Sequence, residues 1–262
     1  MDTRGCALLL CRICRRLRTA VAIPASSKSA NWKGYQWKDI DKTGNKRVRT
    51  NKSQGDMMVD LHYLNIRGAS NKLARVHSKE LVNKFHPTFF ILFETHIPFE
   101  RMKSFWNSLG YQGVGIVEAN GHNGGIWILC SNSNISVRVL DVVDQCISFE
   151  ITMGNNSSYC SAVYANQHIH RHKELWGDLT KIANMIHRPW IVLGDFNDVL
   201  LQSEVRGGQF RLARAEQFAE TLEDCGLFDM GAIGRRFTWY RKVKGGVQVA
   251  KKLDRAVFNQ DQ

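Results

Sequence analysis

Residues 189–197 read Pro189-Trp190-Ile191-Val192-Leu193-Gly194-Asp195-Phe196-Asn197. A short continuous apolar run bounded by proline and glycine reads as a strand buried on both faces. Here it ends by delivering two polar side chains, Asp195 and Asn197. The same arrangement occurs earlier, where Phe89–Phe93 runs into Glu94. Loops beyond strand ends are where sheet proteins place ligand groups. Either carboxylate taken alone also suits a turn or a helix cap.

Outward from these two runs the chain alternates. Met57–Leu64 reads as a strand running into Asn65, and Lys72–Phe85 as a helix with Leu73, Val76, Leu81, Val82 and Phe85 on or near one face. Pro87 stops that helix. Pro98–Leu109 predicts a second short helix, with Phe99, Met102, Phe105 and Leu109 inward. The period then shortens: Gly125–Cys130, Ile135–Val143, Cys146–Met153 and Tyr159–Tyr164 read as strands, with turn signals at 132–134 and 155–156. Further helices are expected at His172–Ile186 and Leu212–Cys225, then a hairpin of Arg236–Arg241 and Val247–Phe258 turning at Gly245-Gly246. Strands and helices around an antiparallel-looking block predict an α/β (α+β) fold. Its expected form is a four-layer sandwich, with two mixed sheets face to face and helices outside.

The net charge of +12 invites a nucleic-acid reading. Most of it lies in residues 1–55, which hold 13 Lys/Arg against 3 Asp/Glu. That segment is expected to be a basic, disordered leader. Its composition is also compatible with a transit peptide, though that reading is not favoured. The folded domain is expected to span 56–262, where the charge is nearly balanced. Within it, residues 235–255 carry Arg235, Arg236, Arg241, Lys242, Lys244, Lys251, Lys252 and Arg255 against Asp254 alone. This is a candidate phosphate-binding surface for DNA, and equally a solvated hairpin. No run approaches 18 apolar residues, so no membrane span is expected. Seven cysteines, an odd count lying partly in apolar runs, suggest buried reduced thiols and a location in the nucleus or cytoplasm. Cys11-x-x-Cys14 lacks a second pair and is a poor metal motif. The alternate histidines His168, His170 and His172 could face one zinc on a strand, but they fall in an expected loop.

Six motifs come in order: Leu64-Asn65-Ile-Arg67-Gly, Phe93-Glu94-Thr-His, Val163-Tyr164-Ala-Asn, Gly194-Asp195-Phe-Asn197, Phe237-Thr238-Trp239 and Leu253-Asp254-Arg255. Over residues 57–258 this succession resembles the exonuclease III-like endonuclease/exonuclease/phosphatase family. Gly124-Gly125-Ile-Trp127, Glu204-x-x-Gly207-Gly208 and the Phe-Thr-Trp motif look like the branch found in plant non-LTR (LINE-type) retrotransposons. The resemblance implies a Mg²⁺-dependent DNA phosphodiesterase, with Mn²⁺ as a substitute. Glu94 would ligate the metal with Asn65. Asp195 would orient or deprotonate the attacking water, and Asn197 would bind the scissile phosphate. Tyr164 would contact phosphate or assist the leaving oxygen, Thr238 would support the site, and Asp254 would orient a histidine. DNA, the element's own RNA and its reverse transcriptase are the implied partners. Read without the resemblance, Tyr164 is a core residue, Thr238 a strand residue, and Asp254 a partner for Lys252 or Arg255.

The sequence departs from the family at one point that matters. The final Ser-Asp-His motif is absent, because only eight residues follow Asp254. The chain is therefore expected to be C-terminally truncated and impaired, since loss of such a group costs orders of magnitude in rate. Two alternatives stand beside the nuclease: a phosphatase or RNA nuclease on the same scaffold, and a non-catalytic relic of a retroelement insertion.

Overall fold

The computed structural model describes residues 17–24 and 58–259, apart from 122–123, 132–133, 232–235 and 243–247. In chain order its elements are β1 (Leu17–Pro24), β2 (Met58–Asn65), α1 (Lys72–Phe85), β3 (Phe89–Phe93), α2 (Lys103–Ser108), β4 (Gln112–Val117) and β5 (Ile126–Cys130). There follow β6 (Ser136–Val143), β7 (Cys146–Met153), β8 (Asn156–Tyr164), α3 (Ile169–Met185), β9 (Trp190–Asp195), β10 (Val205–Arg206) and α4 (Leu212–Asp224). The last strands are β11 (Leu227–Asp229), β12 (Trp239–Lys242), β13 (Gln248–Lys251) and β14 (Asp254–Asn259).

One large sheet runs β1-β2-β3-β5-β4 and the other β11-β14-β9-β8-β7-β6, with a small third sheet β10-β13-β12. Each large sheet holds one parallel pair, β2 with β3 and β8 with β9. A parallel pair needs a crossover, and α1 and α3 supply it, so each sheet is built on one βαβ unit. This two-sheet arrangement with outer helices is the sandwich expected from the alternation.

The apolar runs are buried on both faces because each strand has a sheet opposite and a helix behind. The inner faces contribute Tyr63, Phe89, Ile91, Phe93, Ile126 and Ile128 against Ile147, Phe149, Cys160, Ile191 and Leu193. Behind the first sheet, Phe90, Leu92 and Trp127 pack on α1 and α2 through Leu81, Val82 and Trp106. Behind the second, Trp190, Val192 and Val257 pack on α3 and α4 through Leu175, Trp176, Phe218 and Leu222. The described cysteines Cys130, Cys146, Cys160 and Cys225 are buried and free. No helix among the described residues is long and apolar enough to cross a membrane.

Four local expectations differ from the structure. In α1 the inward residues are Ala74, Ser78, Leu81 and Val82, whereas Leu73 and Val76 are exposed. Small Ala74 and Ser78 let the helix lie close to the sheet, and that turn of the face outweighs the larger side chains. The helix expected at Pro98–Leu109 is a 3-10 turn, Phe99–Arg101, followed by α2, with Trp106 rather than Phe105 fully buried. The run 247–258 is not one strand but two. After β13 pairs with β12, the chain crosses at Lys252-Leu253 to pair as β14 with β9 in the other sheet. The expected turn at Gly245-Gly246 lies outside the described residues. Finally, within the stretch read as a leader, Leu17–Pro24 pairs antiparallel with β2, satisfying backbone groups of an edge that would otherwise be open.

Candidate active site

The two βαβ units end side by side. Asn65 is the last residue of β2 and Glu94 follows β3; Tyr164 is the last residue of β8 and Asp195 the last of β9. Asn65 lies directly across from Phe93, and Tyr164 directly across from Asp195. Carboxyl ends of parallel strands are the usual place for ligand groups in such sheets. The Phe93 and Tyr164 rings stack at 6.0 Å between the sheets, and they bring the two ends together.

Glu94 is the hub. Its Oε1 accepts from the Asn65 side-chain amide and, at 3.1 Å, from the Tyr164 hydroxyl. Burial, reinforced by the charges of Glu94 and Asp195, raises the Tyr164 pKa well above its ordinary value. Tyr164 therefore stays a donor, and its hydroxyl senses both carboxylates. On the far side of β9, Asp254 pairs across from Asp195 and is 3% exposed. Thr238 Oγ1 accepts from the backbone N–H of Leu253 and Asp254 at 2.9 and 3.1 Å, fixing the crossover where β14 begins. Phe196 N–H donates to Leu253 O at 2.9 Å, so the β9 loop and the crossover hold each other.

Gly194 is required by this packing. Its φ is +139°, and a Cβ there would sit 1.9 Å from the Val163 carbonyl oxygen. Asp195 Oδ1 accepts from Asn197 N–H at 3.0 Å, and Asn197 Nδ2 donates to Ala165 O at 2.6 Å. The second hydrogen of that amide is left for another acceptor.

Sequence order and strand-end geometry thus bring Asn65, Glu94, Tyr164, Asp195, Asn197, Thr238 and Asp254 into one place. The profile of the Endonuclease/Exonuclease/phosphatase family matches residues 63–261 of the 262-residue chain. The chain belongs to that family. No curated protein matches the sequence. Among solved structures, the endonuclease domain of TRAS1, a telomere-specific non-LTR retrotransposon, is similar with a TM-score of 0.60 at 13% identity, over 77% of this chain and 85% of that one. The 3′ phosphatase NExo from Neisseria, bound to a product DNA hairpin, has a TM-score of 0.59 at 15% identity, over 76% and 86%. The AP endonuclease LMAP from Leishmania major has 0.60 at 14%, over 76% and 78%. At these identities the likeness is one of fold. Family members are hydrolases that act on phosphodiester bonds, which fits a site built from carboxylates, an amide and a tyrosine.

The donor set fits a hard cation. Asn65 is 2% exposed, and its Oδ1 has no hydrogen-bond partner among the described residues. A buried acceptor left without a donor is costly, by about 1–3 kcal/mol. Here it lies beside the Glu94 carboxylate, and a Mg²⁺ held by one or two protein oxygens and several waters would satisfy both. No group of three or more His, Cys, Asp or Glu among the described residues could hold a metal. The three alternate histidines do not share a strand face: α3 begins at Ile169, and His172 points into the core.

Of the five non-glycine residues with positive φ among those described, Arg67, Glu94, His96 and Asn197 are at the site. Each such conformation costs about 1–3 kcal/mol, and such strain collects at functional sites. Arg67 Nε and His96 Nε2 stand 3.7 and 4.0 Å from Glu94 Oε2. The sequence reading gave neither a role, although both lie within the quoted motifs.

The basic segment divides. Arg236 and Arg241 are exposed and Lys251 is half-buried; burial first, then the Arg214 charge, lowers the Lys251 pKa. Arg235 lies outside the described residues, as does the side chain of Lys242. Lys252 is not available to DNA. Its ammonium lies 2.8 Å from Asp229 and 3.4 Å from Glu204, at 12% exposure. Arg255 binds the same two acids. Lys252 and Arg255, the two cations considered beside Asp254, both bind Glu204 and Asp229.

Proposed function

We propose that this domain is a Mg²⁺-dependent DNA endonuclease of retroelement type, nicking target DNA by in-line attack of water on a phosphodiester. The observation that supports it most is Glu94 carrying both Asn65 and Tyr164, with Asp195 across from Tyr164. Glu94 and Asn65 would hold the Mg²⁺, with Mn²⁺ as a substitute. When bound, the metal polarises a phosphoryl oxygen and acidifies a water.

The remaining work belongs to the chain. Asp195, held by the Asn197 N–H, takes the proton of the attacking water. Asn197 gives its free amide hydrogen to a non-bridging oxygen of the scissile phosphate. Tyr164, kept protonated, contacts the phosphate or the leaving oxygen. Asp254 closes the far wall under the hold of Thr238. Water forms the new P–O bond, the old one breaks, and the leaving oxygen takes up a proton, so the nick supplies a primer end. Arg236, Arg241 and Lys251 would add phosphate contacts along the duplex, together with Arg235 and Lys242 of the same segment. The element's RNA and reverse transcriptase would be partners in a longer polyprotein, working in the nucleus or cytoplasm.

The test is a substrate panel: supercoiled plasmid, abasic duplex, RNA and inositol phosphates, each with Mg²⁺ and with EDTA. Mg²⁺-dependent conversion of supercoiled to open-circular plasmid supports the proposal. Preferential turnover of inositol phosphates or RNA would replace it with a phosphatase or RNA nuclease. Cooperative unfolding without turnover of any substrate would favour the relic.

A further inference from the structure

Next to Asn197 lies an ion cluster that none of the roles above uses. Asp198 is 7% exposed, and its Oδ2 lies 3.2 Å from His172 Nδ1, 3.1 Å from Arg214 Nε and 3.0 Å from Arg214 Nη2. Burial works to raise the Asp198 pKa, but His172 and Arg214 outweigh it and hold the group below its ordinary value. Arg214 Nη2 also donates to the Asn197 carbonyl at 3.4 Å. His172, 1% exposed, comes from α3, and its Nε2 contacts the Asn166 carbonyl oxygen. The ring thus lies between the Asn166 carbonyl and the Asp198 carboxylate, one nitrogen toward each. The ring is fixed edge-on to Trp176 at 5.5 Å. Asn166 N–H in turn donates to Gln145 Oε1 at 2.7 Å, and Gln145 Nε2 to Arg171 O at 2.9 Å.

These contacts join the two loops that carry the site. The loop after β8 holds Ala165 and Asn166; the loop after β9 holds Asn197 and Asp198. Ala165 N–H donates to Asp195 O at 2.8 Å and Asn197 Nδ2 to Ala165 O. One imidazole also bridges Asn166 to Asp198. Asn197 sits between the two sets at φ +48°, a conformation that a free loop would leave. A buried charge cluster removes that freedom, because breaking it strands a charge away from water.

We infer that His172, Asp198 and Arg214 are positioning residues: together they clamp the Asn197 loop to the Asn166 loop and set where the Asn197 amide and the Asp195 carboxylate point. The clamp itself stands without any assigned chemistry; its effect on turnover rests on the nuclease reading above.

Asp198→Asn and His172→Gln are compared with wild type by two measurements. The first is amide hydrogen exchange without metal or DNA. Peptides covering 163–168 and 194–199 are expected to exchange about tenfold faster in both variants, with β3 unchanged. The second is nicking kinetics: kcat is expected to fall about 10- to 100-fold while KM stays within about twofold, as for misplaced groups. Unchanged exchange in folded variants overturns the clamp, whether or not wild type nicks DNA. A lower melting temperature with wild-type kcat and exchange also overturns it, because the cluster would then serve stability alone. Should Asp198→Asn not fold, Arg214→Ala, at a site 16% exposed, gives the same two readouts. A wild-type protein that nicks nothing removes the nuclease reading, and the exchange comparison still decides the clamp.

Discussion

Glu94→Gln is expected to lower Mg²⁺-dependent nicking by about 10³-fold, to the level seen with EDTA, because several kcal/mol of charge stabilisation leave with the metal. Glutamine keeps the shape of the side chain, and its carbonyl oxygen can still accept from Asn65 or Tyr164. What it loses is the formal charge that a hard cation needs next to the orphaned Asn65 oxygen. The fold should therefore survive, since the strand that positions residue 94 is fully buried and unaltered. Removing a carboxylate from a phosphate site also removes a repulsion. Affinity for duplex DNA measured in EDTA should stay the same or tighten. The two measurements together separate loss of metal from collapse of the site: a folded variant that nicks at the wild-type rate counts against the assignment of Glu94.

The second large effect concerns stability. Arg255→Met is expected to destabilise the fold by about 3–5 kcal/mol, the cost of leaving a buried charge without its partner. The Arg255 side chain is 0% exposed, bonds Glu204 Oε2 at 2.8 Å and Asp229 Oδ2 at 2.5 Å, and lies over the Phe218 ring. Without it, Lys252 alone faces two acids. In the native protein burial pushes both carboxyls up, but Arg255 and Lys252 prevail and hold both below their ordinary values. The network's stability is thus present above the unfolded carboxylate range and lost as pH falls through the lower folded values. In Arg255→Met the sign reverses for at least one acid: its folded pKa rises, so lowering the pH from 7 towards 5 should recover part of the loss. Urea unfolding of both proteins at the two pH values reads this directly. Equal midpoints for wild type and variant at pH 7 would show that the network contributes nothing net. The consequence reaches the site, since Arg255 adjoins Asp254 and its partner Glu204 accepts the Leu200 N–H at 2.7 Å beyond the Asp195 loop.

What could be read from the sequence was what is local. Two of the parallel strands are short apolar runs that hand over a carboxylate at their end, so Glu94 and Asp195 stand out by position, whereas Asn65 and Tyr164 gain a role only through the resemblance. Their order carried the family, and the alternation of periods carried the layers. What escaped depends on contacts between distant segments. His172 and Asp198 are separated by a helix and a strand, and nothing near His172 marks it as the partner of a buried acid. Lys252 looked like one of a row of surface cations, because the sequence does not show that the chain leaves one sheet there and enters another. The inward face of α1 was misjudged because apolar size was weighed above fit, and Ala74 and Ser78 won on fit. Strand β4 was missed because Gly113 and Gly115 weaken the strand pattern of Gln112–Val117. The positive φ of Arg67 and His96 lies in backbone angles, which residue identity does not give.

The most direct test of the shared metal site is a crystal grown with Mn²⁺ and measured for anomalous scattering. A single peak is expected about 2.1 Å from Glu94 Oε and Asn65 Oδ1, with Asp195 near enough to bond a water on that ion. A peak elsewhere, or a protein that takes up no Mn²⁺ at a saturating concentration while fully folded, would contradict the account.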